Sequence, residues 1–107
     1  MVRKPAFTLV YAPLFKEHLR VIEPKYYSLI RNAVESQLQF EPDVETRNRK
    51  QLKRRVAFGA RWEGRFGPEN RFRVFYRVNP FLREVYLLAI GEKIGARLLI
   101  GGEEVKL

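Results

Sequence analysis

The chain has 107 residues, 46% hydrophobic and 31% charged, which predicts one folded domain spanning residues 1–107 and excludes a disordered chain. It has no cysteine and one histidine, His18, which excludes a disulfide framework, a thiolate metal site and a histidine cluster; no metal and no cofactor is expected. The formal net charge of +9 predicts an anionic partner.

Ala6 to Tyr11 is short and rich in β-formers, and predicts the first strand. Pro13 suits the first turn of a helix, where its missing N–H costs nothing, and Phe15, Leu19 and Ile22 follow at helical spacing. Pro24 ends that helix and opens a second. Its apolar stripe runs through Tyr26/Tyr27, Ile30, Ala33/Val34 and Gln37/Leu38 to a stop near Glu41-Pro42. So short a link predicts an antiparallel helix pair whose stripes need a sheet to bury against. Asp43 to Phe58 is polar and charged, with Val44, Leu52, Val56 and Phe58 as apolar anchors. It predicts a long connection with a short helical turn around Arg49 to Arg54.

The period then changes to two. Trp62 and Phe66 point one way, and Arg61, Glu63 and Arg65 the other. Gly67-Pro68-Glu69-Asn70 predicts a turn. In the next strand Phe72, Val74, Tyr76 and Val78 share a face, with Arg71, Arg73, Phe75 and Arg77 opposite. Asn79-Pro80 turns again, and Glu84 to Ile90 is apolar on both sides, as an interior strand is. Gly91 to Gly95 predicts another turn. Arg97 to Ile100 and Glu104 to Leu107 predict a small terminal hairpin across Gly101-Gly102. The class is therefore α+β, in the order β-α-α-β-β-β with a short β-hairpin tail. Two N-terminal helices cover one face of a small, mainly antiparallel sheet, and the arginines occupy the other.

The charge is localised. Arg47 to Arg77 holds eleven Lys/Arg against two acidic residues, Glu63 and Glu69, and by itself accounts for the net +9. A local excess makes a local field, which steers a polyanion, and RNA is the best candidate. Arginine presents planar, permanently charged donors that match phosphate oxygens. Arg61, Arg71 and Arg77 are candidate RNA-binding residues, Lys50 and Lys53 extend the track, and Phe75 among them is a surface for base stacking. The bland reading is a solvated sheet face with Glu63 relieving repulsion. Metal-free RNA cleavage asks for a base, cations around the phosphorane and an acid. Arg65 and Arg73 fit the cationic role. Glu63 reads equally as a base or as a structural ion pair. His18, on the first helix, reads as a solvated or partly buried histidine. Trp62 and Tyr76 read as core.

No apolar run approaches the roughly 20 residues of a membrane span, and Met1-Val2-Arg3-Lys4-Pro5 is not followed by an apolar signal core. Both point to a cytoplasmic protein with no membrane partner.

The run Asn70-Arg71-Phe72-Arg73-Val74-Phe75-Tyr76, followed by a hydrophobic strand ending in Ala89-Ile90-Gly91, resembles the RelE/ParE family of bacterial type II toxin–antitoxin toxins. The element order matches as well. The resemblance implies a toxin held inactive by a cognate antitoxin. In the RelE branch it implies a metal-independent endoribonuclease that enters the ribosome and cuts mRNA, inhibiting translation. Carried over by position, Arg65 matches a basic residue of the second strand. Arg73 matches the arginine before the Val-Phe-Tyr segment, and Lys93 a basic residue just after the fourth strand. Two positions depart from the pattern: Glu63 stands where the best-known members have a lysine, and Leu99 where they have a catalytic tyrosine. The alternatives are a ParE-like toxin that inhibits DNA gyrase and a catalytically degenerate RNA-binding member.

Overall fold

The computed structural model describes residues 5–54 and 58–106. Met1 to Lys4, Arg55 to Ala57 and Leu107 lie outside the described residues. They include the basic N-terminal stretch, one cation of the basic segment, one apolar anchor and the end of the terminal hairpin.

The chain folds as α+β. β1 (Thr8–Tyr11) leads into α1 (Pro13–Leu19), and a 3-10 turn (Pro24–Tyr26) opens α2 (Tyr27–Leu38). There follow β2 (Arg49–Gln51), β3 (Trp62–Phe66), β4 (Phe72–Asn79), β5 (Glu84–Ile94), β6 (Arg97–Ile100) and β7 (Glu103–Glu104). Among the described residues these make one seven-stranded sheet in the order β2-β3-β4-β5-β6-β7. β1 lies parallel to the first half of β5, while the other pairings are antiparallel.

Both helices serve one face of the sheet. Phe15 of α1 and Ile30, Val34 and Leu38 of α2 are buried against Trp62, Phe66, Phe72, Val74, Tyr76, Val85, Leu87 and Ile90. Each such aliphatic or aromatic side chain contributes about 1.5–3 kcal/mol by leaving water. The Tyr27 hydroxyl donates to the Leu19 carbonyl at 3.0 Å and ties α2 to α1. Tyr76 is fully buried, stacks on Trp62 at 6.1 Å, and donates its hydroxyl to the Pro42 carbonyl at 2.7 Å. Burial pushes its phenol up, which keeps it a donor.

Three expectations are corrected. Arg49 to Gln51 form a strand on β3 and not a helical turn. Their backbone groups find partners on Trp62 to Gly64, which a helical turn in a polar loop would lack. β5 runs on to Ile94, because β6 pairs with Gly91 to Ile94, so the turn shrinks to Gly95-Ala96. Gly95 sits there at φ 63°, where a glycine is unstrained. α2 ends at Leu38, ahead of Glu41-Pro42.

The outer edge of β5 is shared by β1 at Glu84 to Leu87 and by β6 at Gly91 to Ile94. In the gap, the Ile90 N–H donates to His18 Nδ1 at 3.4 Å. His18 is buried, and its ring meets Phe58 edge-on at 5.9 Å. Burial lowers its pKa, with Glu17 opposing. The neutral ring is thus favoured in the folded state, and Nδ1 accepts only when unprotonated. The stability this provides is complete above the ordinary histidine pKa and is lost as pH falls below it. In urea unfolding, the stability advantage of the wild type over His18→Leu is expected to shrink between neutral pH and about pH 5. A difference independent of pH would assign the effect to packing alone.

Candidate nucleic-acid interface

The register of β3 on β4 sets Arg65 directly opposite Arg73, and Glu63 opposite Phe75. Strand alternation turns these four away from the helices. Glu63 lies between the two cations. Arg65 Nε donates to Glu63 Oε1 at 2.8 Å, and Arg73 Nη1 stands 3.9 Å from the same oxygen. Glu63 and Arg73 are buried, whereas the Arg65 side chain is 40% exposed and free to redirect. Arg73 Nε also donates to the Asn70 carbonyl at 3.2 Å. Burial, then the Arg65 charge, pulls the Arg73 guanidinium below its ordinary value, against the pull of Glu63. A cation under that pressure gains from an added anion.

The local chain builds this cluster. Asn48 Nδ2 donates to the Arg65 carbonyl at 2.8 Å, and the Asn48 carbonyl accepts the Arg65 N–H at 2.8 Å, clamping the residue that carries the exposed cation. Glu69 and Asn70 both adopt φ 55°, a left-handed pair that directs the Asn70 carbonyl toward Arg73. Neither asparagine is assigned a role at the site by the sequence, although Asn70 falls in the predicted turn. Their signal is turn chemistry, and turn residues are too common to mark a site.

The remaining predicted residues are not all brought together. Lys93 is exposed and shares a cleft of about 460 Å³ with Arg73, Arg71 and Tyr26. Lys50 is exposed on β2, opposite Glu63. Arg71 does not join the face of Arg73 and Arg77. It precedes β4, forms an ion pair with Glu92, and lies 4.9 Å over the Tyr26 ring. The Glu92 hydrogen bond raises its pKa. Lys53, Arg61 and Arg77 line a separate cleft of about 470 Å³ together with Arg54.

Phe75 is the clearest correction. It is fully buried and cannot take a stacked base. With Ala60, Ala89 and Ile100 it forms a second apolar cluster, flanked by Leu52, Phe58, Leu88, Leu98 and Val105. Leu52 and Phe58 thus pack on the sheet face expected to be wet. Arg49, one of the eleven cations, is also buried. It donates to the carbonyls of Val44 and Gln37 and serves the fold. Leu99 is half-buried on β6 near His18 and brings no ionisable group. Among the described residues, no group of three or more His, Cys, Asp or Glu stands together as a metal cage.

Removing the Glu63 carboxylate leaves Arg65 and Arg73 facing each other without a counter-charge. Glu63→Ala is expected to lower unfolding free energy by about 3 kcal/mol in urea titrations. Adding Arg65→Ala should recover part of that loss. Equal stability of Glu63→Ala and wild type would mean that the arginines turn to solvent without cost.

No family model matches the chain, and neither a curated protein nor a solved structure matches it significantly.

Proposed function

We propose that this chain is the toxin component of a type II toxin–antitoxin system, a metal-independent endoribonuclease of the RelE kind that cuts ribosome-bound mRNA in the cytoplasm. The observation that carries the reading is the facing pair Arg65 and Arg73 with the Glu63 carboxylate between them. Support from the sequence comes from the RelE/ParE resemblance around Asn70 to Tyr76. The partners that follow are mRNA on the ribosome and a cognate antitoxin, which neutralises the toxin.

The chemistry follows from the charges. A phosphodiester entering the cluster draws Arg65, the more exposed cation, away from Glu63. The freed carboxylate takes the proton of the ribose 2′-hydroxyl as its oxygen bonds to phosphorus. Arg65 and Arg73 hold the crowded, doubly charged phosphorane. The bond to the 5′-oxygen then breaks, and Lys93, beside Arg73, assists the departing oxygen with a proton. The products are a 2′,3′-cyclic phosphate and a 5′-hydroxyl.

One observation favours a second reading. The 2.8 Å contact of Arg65 with Glu63 satisfies the carboxylate within the protein, as a structural ion pair would. That suits a member that binds without cutting, whether an RNA-binding domain or a ParE-like inhibitor of gyrase.

Expression of the wild type is expected to arrest growth and fragment ribosome-bound mRNA. Arg73→Ala should lose roughly 10²–10³-fold in cleavage rate, as when one transition-state donor is removed. Glu63→Gln, which keeps a partner for Arg65, should lose roughly 10²–10⁴-fold. Growth arrest with intact mRNA and DNA-damage signalling would replace the nuclease by the gyrase inhibitor. Wild type and Arg73→Ala that are equally harmless, with mRNA uncut, would leave RNA binding alone.

A further inference from the structure

We propose that the cleft lined by Lys53, Arg54, Arg61 and Arg77 is a second phosphate-binding site, which holds the backbone of single-stranded RNA beyond the Glu63 cluster. The proposal deepens the RNA reading above and rests on it for the identity of the strand.

Four cations of the basic segment without an ion pair among the described residues collect here, while exposed Arg47 and Lys50 lie outside the cleft. Glu63 engages Arg65 and Arg73, Glu92 engages Arg71, and Arg49 is spent on backbone carbonyls. Among the described residues, the ion pairs reach none of Lys53, Arg54, Arg61 and Arg77. All four are exposed, and no carboxylate lines the cleft. Like charges held side by side cost stability unless an anion joins them. The volume of about 470 Å³ lies within the range of ligand pockets and exceeds what one small ion requires.

The cleft is also anchored. The Arg61 N–H donates to the Tyr76 carbonyl at 3.0 Å, and the Arg61 carbonyl accepts the Leu52 N–H at 2.8 Å. Ala60 beside it is buried. Arg77 belongs to β4, and its guanidinium lies 5.5 Å over the Tyr86 ring. Tyr86 in turn donates to Glu84 at 2.6 Å, so that carboxylate already has a donor. The Arg77 guanidinium, held over Tyr86, suits the paired oxygens of a phosphodiester.

The spacing favours a strand over a single anion. Arg73 and Arg77 share a face of β4 and lie four residues apart, about 13 Å at strand rise. A strand that passes over the apolar cover of Phe75 meets the Glu63 cluster at Arg73 and this cleft at Arg77. Contacts of this kind position a backbone without reading its sequence. The cleft therefore sets affinity, and the Glu63 cluster sets the rate.

The test is binding of a short, labelled 2′-O-methyl RNA, which cannot be cut by its own ribose hydroxyl, measured across a salt series. For Arg61→Gln/Arg77→Gln, affinity is expected to fall roughly tenfold or more. The slope of log affinity against log salt should become shallower by about 1.4, the share of two phosphates on a single strand. An unchanged slope and affinity in that variant overturns the site. Poly-glutamate displacing the RNA more effectively than polyuridylate, at equal charge, also overturns it and points to an acidic peptide. A wild type that binds this RNA with the expected slope but never cuts ribosome-bound mRNA ends the nuclease reading and leaves the site standing.

Discussion

Between Phe75 and Tyr76 the pairing of β4 with β5 takes in one extra residue of β5, and the two faces of the sheet depend on it. Phe75 stands opposite Ala89, but Tyr76 stands opposite Leu87. Strict alternation from Ile90 would turn Leu88 toward the helices and Leu87 away. The bulge instead places Ile90, Leu87 and Val85 in the helix-side core and leaves Leu88 and Ala89 to the second cluster. Alternation along β4 itself is unbroken. Arg73, Phe75 and Arg77 therefore stay on one face while β5 buries apolar residues on both.

That face is not a uniform basic surface. Apolar packing around Phe75 divides it, with the Glu63 cluster toward one end of β4 and the cleft of Arg61 and Arg77 toward the other. The division also sorts the charges. Near Arg73 two of them share one buried carboxylate, Glu63. Near Arg77 they are unmatched among the described residues, which suits simple attraction.

His18 illustrates how this sheet manages its own gaps. Two strands share one edge of β5, and the N–H left between them would be unpaired in the interior. An imidazole from α1 accepts it. A lone histidine on an apolar helix face thus has a structural task, and its lowered pKa follows from burial and needs no catalytic role.

Much of the fold was legible in the chain itself. Period-two alternation identified β3 and β4, helical spacing identified both helices, Pro13 marked the start of α1 and Pro24 the 3-10 turn that opens α2. Localised charge identified Arg47 to Arg77 as the segment of interest. These are local properties, set by backbone periodicity and by the formal charges of neighbours along the chain. What stood next to what was decided only in three dimensions. The sharing of Glu63 by Arg65 and Arg73 needs the β3–β4 register, and the diversion of Arg71 to Glu92 needs β5. The burial of Phe75 needs Leu52 and Phe58 to pack against it, and the structural use of Arg49 needs the end of α2. Each of these depends on long-range contacts between side chains distant in sequence, and composition and periodicity hold no information on such contacts. The basic segment was readable from its residues, but its division into an ion-paired cluster and an open cleft was the work of tertiary packing.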